Sequence, residues 1–167
     1  LLLELTGSAE LEEAKFRSVG YPWQRAWRAK TAEPELDRAL ELAWHTLELC
    51  SADTFMDCPF FEQMQYVSDT RLEALVTLVT TRDTRLLRNA LTQFADSRYP
   101  CGMIPSRTPS RVAQVIPSFA LIYILMLRDL AEWRGREEVL PWLDCARGIL
   151  RYFRQHRKNG LVHFPGW

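Results

Sequence analysis

The chain has 167 residues, 47% of them hydrophobic, which is enough for one sizeable core and lies outside the composition of disorder. Its 21 basic and 21 acidic residues cancel, so no bulk field recruits nucleic acid or an anionic membrane. The most apolar run, Val115 to Leu127, contains Pro117 and Ser118 and falls short of the roughly 20 residues that span a bilayer.

Residues 1–30 carry short apolar runs, Leu1 to Leu5 and Phe16 to Val19, punctuated by Gly7 and by Gly20-Tyr21-Pro22. That pattern suits one or two strands ending in a turn. Two strands alone are marginal, so the segment is expected to belong to a sheet that lies mostly outside the chain. Leu1 to Leu5 has neither an initiator Met nor the basic region of a secretory leader, and Phe164-Pro165-Gly166-Trp167 ends without a polar tail. Both ends read as cut from something longer.

From residue 33 the apolar spacing becomes helical. Leu36, Leu40, Ala43, Trp44 and Leu47 mark a first helix behind the start signal Glu33-Pro34-Glu35. Leu72, Leu75, Val76 and Val79 mark a second, closed by Arg82-Asp83. Thr84 can cap a third, with Leu87, Ala90, Leu91 and Phe94, and the short interval predicts an antiparallel hairpin of helices two and three. A Pro-, Ser- and Gly-containing loop over 97–113 leads to a fourth helix from near Gln114 to Trp133, apolar nearly all round. Val139, Trp142, Leu143, Ala146, Ile149, Leu150 and Phe153 mark a fifth, expected to end before the cap signal Asn159-Gly160. Such hairpins describe a bundle, a solenoid or part of a toroid of helix pairs. No repeat at the usual periods favours the solenoid.

Between the first two helices lies DCPFFEQMQYVSD, residues 57–69, with Asp57, Glu62 and Asp69 spaced by five and seven. Pro59 suits a first helical turn and Asp57 can cap it, so the second helix is expected to begin inside this stretch. On that helix Glu62, Tyr66, Asp69 and Glu73 share a stripe, and Met64, Leu72, Leu75 and Val79 form the core side. An acidic helical stripe is usually a solvated face. Here its neighbours are Phe60, Phe61, Met64 and Val67, apolar surroundings that raise a carboxyl pKa, and Arg71 is the one nearby base. Carboxylates among aromatics and amides suit a sugar site, where rings take the C–H face, carboxylates take the hydroxyls, and a protonated carboxyl can protonate a glycosidic oxygen.

Asp57-Cys58-Pro59, Glu62 and Asp69 together resemble the DCPxxExxxxxxD signature of glycoside hydrolase family 78, the α-L-rhamnosidases. Asp69-Thr70-Arg71-Leu72-Glu73-Ala74-Leu75, Ser97-Arg98-Tyr99-Pro100, Gly102 and Ser106-Arg107 are similar to the branch of that family with DCPYYEQLQY. The resemblance spans about residues 20–167. It implies an all-α fold of antiparallel helix hairpins forming part of an (α/α)6 barrel over 31–167, with residues 1–30 the tail of a preceding β-sandwich. It further implies an inverting hydrolase of rhamnosides that needs no cofactor and no metal. By position, Glu62 corresponds to the general acid, Asp57 and Asp69 to aspartates that hold rhamnose hydroxyls, and Tyr66 to a sugar-contacting Trp. Departures accompany it: Phe60-Phe61 and Gln63-Met64-Gln65-Tyr66 replace commoner residues, and Val115 to Ala120 lacks an acidic contact. The family's general base is a Glu in a later helical segment, beyond Trp167, so this stretch alone is expected to be inactive. Another toroid glycosidase, or a carbohydrate-binding protein without catalysis, is the competing reading.

Arg107 and Trp167, each in a loop of the kind that rims a barrel, are further candidates for substrate contact, and His163 shares the terminal loop. Trp23, Trp27, Trp44, Trp133 and Trp142 read as packing residues. Cys50, Cys58, Cys101 and Cys145 form no CxxC pair and lie away from the histidines, which argues against structural zinc. They read as small buried hydrophobes.

Overall fold

Pro34 opens the first helix because its fixed φ suits the first turn and its missing N–H has no partner there to lose. In the computed structural model, which describes residue 4, residues 6–8 and residues 10–164, that helix is α1, Pro34–Leu49. It is followed by α2, Val67–Thr80, α3, Arg85–Asp96, and α4, Pro117–Arg134. A 3₁₀ helix, Arg136–Trp142, leads into α5, Leu143–Gln155. The expected fifth helix is therefore two pieces. Pro141 has no N–H to donate, and the chain tightens before the α-helical ladder starts.

The helices pair as hairpins around one core of α2, α3, α4 and α5, as the all-α reading requires. Leu87, Ala90, Leu91 and Phe94 of α3 meet Tyr123, Met126, Leu127 and Leu130 of α4, and Ile149 of α5 closes the layer. The Tyr123 hydroxyl is buried and donates to the Leu91 carbonyl. Gly102 sits at φ +97°, and a Cβ there would lie 2.7 Å from the Gly148 carbonyl, so this loop reaches α5 only through a glycine.

The core side of α2 differs from the periodicity. Val67, Thr70, Ala74, Thr77 and Leu78 are buried, whereas Leu72 and Val79 are 62% and 49% exposed. Small Ala74 lets α4 approach, and the Thr77 hydroxyl is accepted by the Ala74 carbonyl, so a threonine can enter the core without losing its hydrogen bond. The two helices are also joined by an ion pair: Arg71 Nε donates to Asp129 Oδ2 at 2.7 Å, and Asp129 is nearly buried. Arg71 is thereby turned away from the acidic residues of the motif.

Residues 10–33 form no regular element. Phe16 and Val19 are about four-fifths exposed, and a lone strand has no neighbour to take its N–H and C=O groups. Leu1–Leu3 and Leu5 lie outside the described residues. From Tyr21 the segment docks on the helices: Tyr21 N donates to the Ser51 carbonyl at 2.8 Å, Ala26 N to the Thr80 carbonyl at 2.9 Å, and Trp23 stacks on buried Phe55. Asn159-Gly160 proves to be a hairpin turn, both residues at positive φ, between β1, Arg157–Lys158, and β2, Leu161–Val162. Helix α5 ends four residues before it.

Candidate active site

The motif 57–66 is a compact loop, not the start of a helix. Asp57 N donates to the Met64 carbonyl at 2.9 Å, and Met64 N donates back to Asp57 Oδ1 at 2.8 Å, so Asp57 closes the loop where a capping role was expected. Inside it, Cys58 Sγ accepts from Glu62 N at 3.3 Å, and Gln63, at φ +54°, donates through Nε2 to the Pro59 carbonyl. These bonds use up the groups that a helical turn would need.

The end of the loop is pinned by a segment 40 residues on. Val67 N donates to the Ser106 carbonyl, Thr108 N donates to the Gln65 carbonyl, and Tyr66 forms an antiparallel bridge with Arg107. Buried Gln65 donates to both the Thr108 carbonyl and Gln93 Oε1. This pairing holds Tyr66 extended, at φ −83° and ψ 144°, and forces α2 to start one residue later.

The expected stripe therefore divides. Tyr66 and Arg107 make one unit: the guanidinium lies over the ring, 5.3 Å from its centroid, and its Nη1 donates to the phenol oxygen. Phe119 packs edge-on against the same ring at 6.4 Å. Burial first, then a hydrogen bond to Glu62, raises the Tyr66 pKa, against the pull of Arg107. Glu62 is exposed on the loop beside this phenol, with Phe60 and Phe61 exposed next to it. Arg107 Nε is buried without a partner.

Asp57 and Asp69 make the other unit. They lie with Glu73 at one end of a cavity of about 410 Å³ between α1 and α2, walled by Leu40, Leu47, Leu72 and Val76. Burial first, then Asp57 and Glu62, raises the Asp69 carboxyl, against its own backbone hydrogen bond. Glu73 is pushed up to about 9, chiefly by burial and then by Asp69 and Asp57, against a hydrogen bond from the Met56 backbone, so it holds a proton at neutral pH. The periodicity had placed Glu73 on the acidic face but gave it no role. Trp27, read as packing, is half exposed at the far end of this cavity, near Thr80.

A consequence for stability follows from Glu73. Its folded pKa lies above the ordinary glutamate value of 4.5, so the folded state keeps a proton that the unfolded state has released. That contribution is complete below about pH 4.5 and shrinks as pH rises towards 9. Glu73→Gln, which cannot ionise, is expected to stabilise the protein on the order of 2 kcal/mol at pH 7 and by nothing near pH 4. Thermal unfolding of both proteins across that range measures it.

Of the other candidates, Trp167 lies outside the described residues. His163 N donates to the His156 carbonyl across the β1–β2 hairpin. Cys50 and Cys145 are buried as expected, but Cys101 is exposed, and all four cysteines are free. Among the described residues no group of three or more His, Cys, Asp or Glu side chains is placed to hold a metal ion. Nor is any described helix long and apolar enough to cross a membrane.

The family model for the bacterial alpha-L-rhamnosidase 6 hairpin glycosidase domain matches residues 24–159. Among solved structures, the family 78 rhamnosidase of Bacillus sp. GL1 is similar with a TM-score of 0.81 and 29% identity, over 89% of this chain and 16% of that one. A rhamnosidase from Klebsiella oxytoca, solved with rhamnose bound, shares the fold at a TM-score of 0.71 and 24% identity, over 84% of this chain and 29% of that one. No curated protein matches. The chain thus spans under a third of the length of either solved relative.

Proposed function

Because the chain belongs to the bacterial alpha-L-rhamnosidase 6 hairpin glycosidase family, we propose that it forms part of a catalytic barrel that releases terminal α-L-rhamnose with inversion. The observation that carries this reading is the division of the motif: one exposed carboxyl, Glu62, beside a phenol and a guanidinium, and two carboxyls, Asp57 and Asp69, at the mouth of a cavity.

In this proposal Glu62 protonates the glycosidic oxygen as the bond to the anomeric carbon breaks. Its loop position leaves room for the leaving group, and the Tyr66 hydroxyl orients it. Asp57 and Asp69 accept hydrogen bonds from the sugar hydroxyls and fix the ring. Arg107 keeps Tyr66 in place and offers further N–H groups to the substrate, and Trp167 is a further candidate for substrate contact. Rhamnose as ligand is supported by the Klebsiella oxytoca relative, which holds it.

Inversion needs a second carboxylate, about 6.5–9.5 Å from the acid, to activate water on the opposite face of the ring. Asp57 and Asp69 lie on the sugar-holding side, so the base is assigned to a segment beyond residue 167 and residues 1–167 alone are inactive. The test is to follow hydrolysis of a rhamnosyl disaccharide by the full-length protein with proton NMR. The first product expected is β-L-rhamnose. Release of the α anomer would remove the inverting mechanism, and sugar binding without hydrolysis would make the protein a carbohydrate-recognition module.

A further inference from the structure

The polar end of the cavity lacks a free, strong side-chain donor, and the Met56 N–H beside Glu73 is taken by the Cys50 carbonyl at 2.8 Å. Asp57 and Asp69 are built to accept, yet a sugar hydroxyl is both donor and acceptor, and its oxygen also needs an N–H or O–H directed at it. The side chains that could supply one are already committed. Arg71 is held by Asp129, Trp44 Nε1 donates to Glu48, and Thr46 and Thr80 each donate to a helix carbonyl behind them. Arg25 also lines the cavity but is tied to Glu41 and to the Trp27 carbonyl, beside Thr80. At 1.5 Å per residue, the α2 axis separates Thr80 from Asp69 by about 16 Å.

One group remains. Glu73 stands one turn from Asp69 on α2, on the same wall as Asp57, and its Oε2 is buried without any partner. The groups around it are the Met56 backbone N–H, which favours the charged form, Asp57 and Cys58 of the motif loop, Asp69 of α2, and Cys50 at the end of α1, with Arg25 at the opposite end of the cavity. No cation balances the three carboxyls. An orphaned oxygen in such a place is resolved by a proton on the carboxyl and a ligand atom that receives it.

We propose that Glu73 is a neutral carboxylic acid of the sugar site that donates a hydrogen bond to a hydroxyl oxygen of the ring held by Asp57 and Asp69. It selects sugars that present an acceptor at that position, and it restricts full affinity to pH values at which it stays protonated. The inference rests on the glycosidase reading above and adds to it a specificity residue. Burial and the two aspartates hold its pKa at about 9, which keeps the proton in place through the neutral range.

The experiment compares full-length wild type, Glu73→Gln and Glu73→Leu, reading the Kd of L-rhamnose from about pH 5 to about pH 10, because sugar binding needs no proton from Glu62, together with rhamnose release from a disaccharide and thermal unfolding. Wild type is expected to lose affinity near pH 9, where the carboxyl ionises. Glu73→Gln, with a donor that does not titrate, stays within about threefold of wild type at neutral pH and lacks that fall. Glu73→Leu, with no donor, binds roughly 10- to 100-fold more weakly than wild type below about pH 9 while remaining folded. Full affinity in Glu73→Leu, or an unchanged alkaline loss of affinity in Glu73→Gln, overturns the inference while leaving the glycosidase reading intact. A wild type that releases no rhamnose overturns both. Should Glu73→Leu fail to fold, the alkaline limb of Glu73→Gln decides alone.

Discussion

Glu62→Gln in the full-length protein is expected to lower kcat on a rhamnosyl disaccharide by about 10²- to 10⁴-fold, the loss typical of removing a general acid. The amide keeps the shape of the carboxyl and can still reach the Tyr66 hydroxyl, but it has no proton to give the departing oxygen. A nitrophenyl rhamnoside separates chemistry from structure, because a leaving group that is already a good one needs little acid assistance. The variant should lose far less on that substrate, and its affinity for rhamnose should be nearly unchanged. Equal losses on both substrates would point to a damaged loop, and no loss on the disaccharide would remove Glu62 as the acid. The exposure of Glu62 favours the clean outcome: its side chain takes no part in the bonds between Asp57 and Met64 that close the loop.

The largest effect on stability is expected from Arg71→Met. Arg71 lies two residues past the motif but bonds Asp129 on α4, through Nε at 2.7 Å and Nη2 at 3.4 Å. Deleting the guanidinium leaves a carboxylate in the seam between α2 and α4 with no countercharge, which costs about 3–5 kcal/mol for a buried pair. Because the Arg71 side chain is 27% exposed, the lower end applies. Pairing the change with Asp129→Leu should recover most of the loss, since the cost lies in the stranded charge. Thermal unfolding of the single and double variants measures this. A single variant as stable as wild type would show that the pair contributes no more than a surface ion pair.

Both predictions depend on features with different visibility in the sequence. The motif was legible because its meaning lies in residue types at fixed spacing, and those survive any local conformation. The conformation itself was not legible. Pro59 behind Asp57 is a sound helix start, yet the bridge between Tyr66 and Arg107 and the Val67–Ser106 bond outweigh it. No window of the chain contains both partners, so no local rule could have found them. Asn159-Gly160 is a different case, since it suits a helix cap and a hairpin turn equally. The cross-strand partners Arg157 and Val162 decided between them.

The helices themselves were determined by sequence alone: five apolar periodicities, Pro34 at the first turn of α1, and the short Thr81–Thr84 interval that folds α3 back on α2. Local hydrogen bonding and side-chain spacing suffice for that, and both are properties of neighbours along the chain. Only the tertiary structure decided which side of α2 is buried, that Arg71 serves Asp129 and not the motif, and that Glu73 shares a cavity with Asp57 and Asp69. Each of those depends on what another element brings to the same place. A carboxyl among apolar and acidic neighbours holds its proton, and the same carboxyl on a free helix would not.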